Sequence, residues 1–239
     1  MVIPYCDCFK LPYPELIFLY PLCLDNEMDM PYNKIKKNGD SLMQVLKDEI
    51  RQQIERAAIE VFMEKDFEKA LMKEIADRAK ISVSNIYNYF ESKEKLYDSI
   101  VDPAYYQIQE LMQTLMENEH GKSFKDRNFT EQFIWIIANA IGVFVKKNRV
   151  QLLLLFDKSR GTNHEQLKDG LIEFLERHFT EGLEAGPKTD MPFIMHISAT
   201  NLVEGLLEIV RHYRSEDWAD RSIKDLIRYH ISGIAQFLE

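Results

Sequence analysis

A short segment around residue 85 combines hydroxyl, amide and phenol side chains at a spacing that suits nucleic-acid recognition. Its apolar residues recur at intervals of three and four, which would place them on the inner side of a helix: Val83, Ile86 and Phe90. The residues between them then face outward: Ser84, Asn85, Tyr87 and Asn88. Such groups bond base edges and phosphates, and none of the four is acidic. The pattern predicts a helix that enters the major groove of DNA.

The residues before this segment predict the rest of a helix-turn-helix. Ile75, Ala76 and Ala79 have helical spacing and predict a preceding short helix. Ser82 is a good N-cap for the second helix, which is predicted to run through Phe90. Two short helices therefore meet across a tight turn.

Longer helices are predicted on both sides of this unit. Ser41 followed by Gln44 is a capping-box pattern. An apolar stripe then extends over about six helical turns: Leu46, Ile50, Ile54, Ala57, Ala58, Val61 and Phe62. Asp66 ends this helix, and Ser92 caps a long helix in which Pro103 is a candidate site for a kink.

The run from Ile54 to Leu96 resembles the N-terminal helix-turn-helix of the TetR/AcrR family of transcriptional regulators. Its most specific part is the block Ile-Tyr-x-Tyr-Phe-x-Ser-Lys-x-x-Leu, which begins at Ile86. The resemblance implies a homodimer that binds a palindromic operator. It also implies a small-molecule site in the C-terminal helical domain that switches the affinity for DNA.

The segment departs from the family pattern at several positions. Asp66 and Lys80 stand where glycine is usual, so side-chain-bearing residues must accept that backbone geometry. Ala70-Leu71 replaces two threonines, and the second helix therefore lacks its ordinary hydroxyl cap. Ser84-Asn85 replaces a common Gly-Thr pair. These changes are expected to alter operator sequence and affinity more than the fold.

The predicted DNA contacts come from the two short helices and their flanks: Lys73, Lys80, Ser82, Ser84, Asn85, Tyr87, Asn88 and Lys93. The resemblance implies phosphate contacts for Tyr87 and Lys93. Two alternatives stay open, since Asn85 could instead complete the Ser82 cap and Lys93 could be a solvated surface lysine. Tyr89 is expected in the core together with Phe90.

The charge of the chain limits how it could bind DNA. The net charge is −9, and residues 44–100 carry 10 Lys and Arg against 12 Asp and Glu. This balance excludes a broadly basic, unspecific nucleic-acid binder. Any contact must come from a local cluster of cations, and its affinity should fall with salt.

The remaining sequence predicts further helices and no strand. They begin near Thr130, at Val150, at Asn163, at Pro192 and, after a Ser215 cap, at Trp218. The predicted fold class is all-α, with a three-helix helix-turn-helix module at residues 41–98. A larger helical ligand-binding and dimerisation domain follows at residues 99–239.

Apolar stripes on the last two helices are predicted to form an intersubunit four-helix bundle: Val203, Leu207, Val210, Ile223, Ile227, Ile231 and Ile234. Gly205 and Gly233 could allow close approach of the helices. The alternative is that these stripes only close the core of one chain.

Polar residues within apolar stretches suggest a ligand pocket: Trp135, Asn139, Phe156, Asp157, His178, His196, Asn201 and Glu204. Each of them could instead be a satisfied core or rim residue. No histidine spacing typical of a metal site occurs, and no phosphate loop or nucleophile elbow is present. No metal, cofactor or enzymatic activity is therefore expected.

The first 40 residues are predicted to be a disordered extension. Their longest uncharged apolar run, residues 16–24, is too short to span a bilayer. The three cysteines, Cys6, Cys8 and Cys23, all lie here, which leaves no disulfide framework for the folded body and favours a cytoplasmic protein. Met28, Met30 or Met43 could each be the true start, so residues 1–27 could lie outside the native chain.

Three functions agree with these features. The first is a ligand-responsive transcriptional repressor that binds its operator as a homodimer. The second is a DNA-binding activator, or a regulator controlled by a protein partner without a small ligand. The third is a helical enzyme or scaffold that has lost DNA binding.

Overall fold

The structure of the chain is a computed structural model that describes residues 40–117, 127–183 and 192–236. Every regular element within these ranges is a helix, which confirms the predicted all-α class. The helices are α1 Asp40–Lys69, α2 Met72–Ala79, α3 Val83–Tyr87, α4 Lys93–Glu117, α5 Arg127–Asp157, α6 Leu167–Leu183, α7 Pro192–Arg211 and α8 Glu216–Gln236. The predicted extension lies almost wholly outside the described residues.

An aromatic cluster joins α1 to α4 at the base of the N-terminal domain. The ring of Tyr97 meets Phe62 and Phe67 edge to face, with centroids 5.1 and 5.0 Å away. Its hydroxyl donates to the carbonyl of Leu154 in α5 at 2.8 Å, and burial raises the pKa of Tyr97. Helix α4 thus packs on both domains, and the predicted boundary after residue 98 falls inside it.

Helix α5 is one kinked helix where the sequence predicts two. Asn148 has φ −112° and ψ 19°, and its side-chain amide donates to the carbonyl of Phe144 at 3.1 Å. It also donates to Gln107 of α4 at 3.0 Å. This buried amide satisfies a backbone acceptor near the kink, so the helix bends without ending.

The C-terminal helices pack in pairs. Helix α6 lies against α7, and α8 lies against both α5 and α7. A small core fills the space between α6 and α7: Ile172, Ala199, Val203 and Leu207. As predicted, Ser215 caps α8, its hydroxyl accepting from the backbone N–H of Trp218 at 3.2 Å.

Helix α7 is apolar enough over residues 193–211, with a mean hydropathy of 1.3, to cross a membrane by length and composition. Met195, Ala199 and Val203 are nevertheless buried within the fold. A core helix of a folded domain can have the same composition, and α7 packs against α6 and α8.

Candidate nucleic-acid interface

The two short helices are fixed by the buried sides that the sequence predicts. Ile75, Ala76 and Ala79 of α2 are buried, as is Ile86 of α3. The side-chain amide of Gln53 in α1 donates to the carbonyl of Ala79 at 2.6 Å and holds the C-terminal end of α2. This role of Gln53 escaped the sequence analysis, because a polar residue on an exposed helix face carries no signal for a particular partner.

The turn between α2 and α3 depends on Lys80. It has φ 55° and ψ 39°, the left-handed conformation that the missing glycine would adopt. The backbone N–H of Ile81 donates to the carbonyl of Ala76 at 3.0 Å and closes the end of α2. The prediction that a lysine must accept this geometry is confirmed.

The start of α2 lacks a side-chain cap, which is also as predicted. Leu71 occupies the N-cap position and has no capping oxygen of its own. Its backbone N–H is 3.4 Å from the carboxylate of Glu74, a long contact that replaces only part of a capping box. Glu74 also pairs with Lys65 of α1, and this hydrogen bond lowers the pKa of its carboxyl.

Helix α3 is capped by Ser82 and is shorter than predicted. The Ser82 hydroxyl accepts from the backbone N–H of Asn85 at 3.1 Å. The helix ends at Tyr87, not at Phe90, because Asn88 and Tyr89 form a turn. Phe90 is still buried, and the guanidinium of Arg51 lies 4.7 Å from its ring centroid.

The outward face of α3 carries the predicted polar groups. Ser84, Tyr87 and Asn88 are exposed, and the Tyr87 side chain is 49% exposed. Asn85 is half-buried, and its side-chain oxygen lies 3.4 Å from the amide nitrogen of Asn88. Ser82 uses its hydroxyl for the cap and for a 3.0 Å contact with Ser84, so its own role in the free protein is local.

Lys93, for which a phosphate contact is predicted, is bonded within the chain. Its ammonium donates to the carbonyls of Phe67 and Ala70 at 2.8 and 3.0 Å, with that of Glu68 at 3.5 Å. It also lies 4.3 Å from the ring centroid of Phe67. The ammonium therefore caps the C-terminal end of α1, where carbonyls are otherwise unpaired.

The cations of α2 and of the turn after it differ in their partners. Arg78 forms a bidentate salt bridge with Glu64, with both hydrogen bonds at 3.0 Å, and this lowers the pKa of the Glu64 carboxyl. Lys73 and Lys80 are exposed. Lys95, a third exposed lysine near the two short helices, is paired to Asp98 at 3.3 Å.

The predicted ligand residues lie in different surroundings within the described residues. Trp135, Asn139 and Asn201 are exposed, and His196 pairs with Glu176 at 2.8 Å. Phe156 is half-buried against the core, and His178 stacks on Phe174. The pocket built from them stays a prediction.

Arg211 of α7 joins two of those residues on the surface. Its guanidinium contacts both carboxylate oxygens of Asp157, at 2.5 and 3.0 Å, and that of Glu204 at 3.4 Å. Lys168 of α6 binds the other oxygen of Glu204 at 2.9 Å and lowers the pKa of that carboxyl. Asp157 and Glu204 thus belong to an ion-pair network that ties α5, α6 and α7 together.

Most of the predicted dimerisation residues are in the core of this chain: Val203, Leu207, Val210, Ile223 and Ile227. Ile231 is half-buried, and the side chain of Ile234 lies outside the described residues. A Cβ on Gly205 would lie 2.9 Å from the Leu226 side chain, so this glycine permits close approach of α7 and α8 within one chain. The stripes therefore close the monomer core, which corrects their assignment to an interface.

Comparison with known proteins gives one family match, over residues 54–100. The matching model is that of the bacterial regulatory proteins of the tetR family. It confirms over this segment the resemblance drawn from the sequence. A comparison with curated proteins gave no significant match.

Three solved structures of low sequence identity are similar to this chain. A TetR-family regulator from Chloroflexus aurantiacus is 17% identical, with 80% of this chain and 92% of that one covered at a TM-score of 0.49. A putative TetR-family regulator from Mesorhizobium loti is 17% identical, with 78% and 96% covered at a TM-score of 0.38. A TetR regulator from Rhodococcus sp. is 16% identical, with 78% and 98% covered at a TM-score of 0.31.

Proposed function

We propose that the chain, whose residues 54–100 match the model of the tetR family of bacterial regulatory proteins, is a transcriptional repressor released from DNA by a small molecule. The repressor binds a palindromic operator as a homodimer. Members of this family act by binding DNA and not by catalysis, so the helical-enzyme alternative loses its support.

The exposed polar face of α3 is the observation that carries this proposal. Tyr87, Ser84 and Asn88 point to solvent from a helix whose buried side and N-terminal cap are both satisfied. A phenol hydroxyl is suited to a phosphate oxygen, whereas serine and asparagine side chains can bond base edges. Lys73 and Lys80 add positive charge, which attracts the DNA backbone whatever the base sequence.

Operator binding is tested by fluorescence anisotropy on duplexes from the regions upstream of the chain's own gene and its neighbours. We expect salt-sensitive binding to one of them, and Tyr87→Phe should weaken it at least tenfold, since a hydrogen bond to a charged group contributes about 1.5–3 kcal/mol. Tyr106→Phe is the matched control, because Tyr106 of α4 is also exposed. Binding to none of the duplexes would refute the proposal.

Base contacts and phosphate contacts give different results in the same assay. Asn88→Ala and Ser84→Ala should relax the preference between operator variants. Lys73→Ala should weaken all duplexes alike and reduce the salt slope by about two, one for each subunit of the dimer. If Lys73→Ala instead changed the preference and Asn88→Ala did not, the roles assigned to α3 would be wrong.

A buried hydroxyl supports a small-molecule effector in the C-terminal domain. Thr200 Oγ1 of α7 is buried with no hydrogen-bond partner among the described residues. Such an atom is costly unless a water molecule or a ligand satisfies it. It lies beside Ala199 in the helix that also forms the small core with α6.

Helix α4 provides the route from that domain to the DNA. It begins one residue after Ser92, whose hydroxyl accepts from the backbone N–H of Lys95 at 3.1 Å, and Tyr97 ties it to α5. An effector that favours another position of α4 changes the distance between the two recognition helices of the dimer. Metabolite extracts added to the complex should release the DNA. The Thr200→Val variant, which lacks the buried hydroxyl, should need a different concentration of extract for half-maximal release.

Repression and activation are distinguished by the expression of a reporter gene that the bound DNA region controls. Loss of the chain raises reporter expression if it represses and lowers it if it activates. DNA binding that no extract affects would instead favour control by a protein partner.

A further inference from the structure

Two aspartates and a histidine meet where α4 crosses the turn after α5. Asp98 and Asp102 are four residues apart and share one face of α4. His164 lies in the turn before α6 and is only 6% exposed. Its Nε2 is 3.5 Å from Oδ1 of Asp98 and 3.5 Å from Oδ1 of Asp102, and the three atoms lie within 4.8 Å of one another.

We propose that Asp98, Asp102 and His164 form a binding site for a divalent transition-metal cation such as Zn²⁺. A separation of 3.5 Å is long for a hydrogen bond. Two ligands bound tetrahedrally to one Zn²⁺ at about 2.0–2.2 Å are about 3.4 Å apart. Imidazole with carboxylates is a ligand set for Zn²⁺, Co²⁺ and Mn²⁺, and three protein ligands leave a position for water.

The histidine is held in place by its surroundings. Its ring meets that of Tyr105 edge to face at 4.8 Å, and its backbone N–H donates to the Thr162 hydroxyl at 3.1 Å. That hydroxyl donates to the carbonyl of Ser159 at 2.7 Å, which fixes the turn. The ring is therefore oriented before a cation arrives, which lowers the cost of binding.

The charges at the cluster favour a cation. Lys95 lies 3.3 Å from Oδ2 of Asp98, but its side chain is 64% exposed. The Oδ1 atoms of both aspartates face the buried imidazole. Two carboxylates and one imidazole carry net negative charge when the ring is neutral, as a metal ligand must be. A bound cation would neutralise it and fasten α4 to the turn after α5.

Metal binding is measured on the full chain with Cys6, Cys8 and Cys23 changed to serine, so that thiols outside the described residues do not compete. Calorimetric titration with Zn²⁺ should give one ion per chain, and Co²⁺ should give the visible absorption of a low-symmetry site. Asp102→Asn and His164→Gln should each weaken Zn²⁺ binding at least tenfold and abolish the Co²⁺ signal.

His196→Gln is the matched control, since His196 also pairs with a carboxylate but lies on α7. It should leave both signals unchanged. Asp98→Asn serves if circular dichroism shows that His164→Gln does not fold. No Zn²⁺ binding at millimolar concentration, or binding that none of the site variants weakens, would overturn the proposal. No DNA is present, so this outcome is independent of operator binding.

Discussion

Asp66 and Lys80 adopt backbone conformations that side-chain-bearing residues rarely take. Asp66 has φ 65° and ψ 160°, and Lys80 has φ 55° and ψ 39°. The first lies in a region used almost only by glycine, and the second is the left-handed helical region. Both geometries persist because the surrounding helices require a sharp change of direction there. The cost is therefore local, and substitution can measure it.

Lys80→Gly is expected to stabilise the protein by about 1 kcal/mol, because glycine adopts the left-handed conformation without the Cβ penalty. Lys80→Ala is the control, since it removes the exposed lysine side chain but keeps the strain. Urea unfolding followed by circular dichroism measures the difference between the two variants. Equal stability of Lys80→Gly and Lys80→Ala would show that the conformation carries no strain.

Substitution of Lys93 distinguishes a structural role of its ammonium from a DNA contact. Its ammonium is bonded to carbonyls at the end of α1, so Lys93→Met should lower the free energy of unfolding by about 1.5–3 kcal/mol. Lys73→Met, on the exposed face of α2, should change it little. If the Lys93→Met protein had normal stability but impaired operator binding, a phosphate contact by Lys93 would be supported instead.

At the scale of helices, the end of α1 is fastened to the end of α5. Lys158 binds the carboxylate of Asp66 at 2.8 Å and accepts from the backbone N–H of Phe67 at 3.0 Å. Arg160 pairs with Glu68 at 3.4 Å. The strained residue, Asp66, thus lies where the N-terminal domain meets the C-terminal domain. Its ion pair with Lys158 offsets part of the backbone strain that a glycine would avoid.

The hydrogen bond from Lys158 lowers the pKa of Asp66 below its ordinary value of 3.8. The carboxylate therefore stabilises the folded chain above that value, and this contribution is lost as pH falls through the lower folded pKa. Asp66→Asn should be less stable than the parent protein at pH 7, and the difference should shrink below pH 3.8. Urea unfolding at several pH values tests it, with Asp77→Asn on exposed α2 as control.

The sequence predicts helices and their buried sides better than the ends and joints between them. Periodicity identified Ile75, Ile86 and the stripe of α1 from Ile54 to Phe62. It was wrong for Leu46, which has the same spacing but is 56% exposed. It split α5 near Asn148, because a polar residue in an apolar run resembles a break. The partners that make Asn148 a kink, Phe144 and Gln107, follow only from packing. The carbonyl partners of Lys93 likewise follow only from packing.

At the scale of the molecule, an apolar stripe does not reveal whether its neighbour belongs to the same chain. Val203 and Ile223 were assigned to a dimer interface, yet both are buried within the monomer. What the fold leaves uncovered is more informative. On α8 the exposed side includes Asp225, Tyr229 and Gly233, and Tyr229 is 70% exposed. A large aromatic residue on such a face is typical of an interface anchor.

If the proposed homodimer forms through this face of α8, Tyr229→Glu should weaken dimerisation at least tenfold, since loss of an aromatic anchor costs about 2 kcal/mol and a like charge is added to both subunits. Sedimentation velocity over a range of concentrations measures it, with Tyr106→Glu, at 59% exposure on α4, as the matched control. Ile223→Ala should instead lower the free energy of unfolding by about 2–5 kcal/mol, because Ile223 is a core residue. A parent chain that stays monomeric would contradict the homodimer, whereas a dimer indifferent to Tyr229→Glu would move the interface to another face.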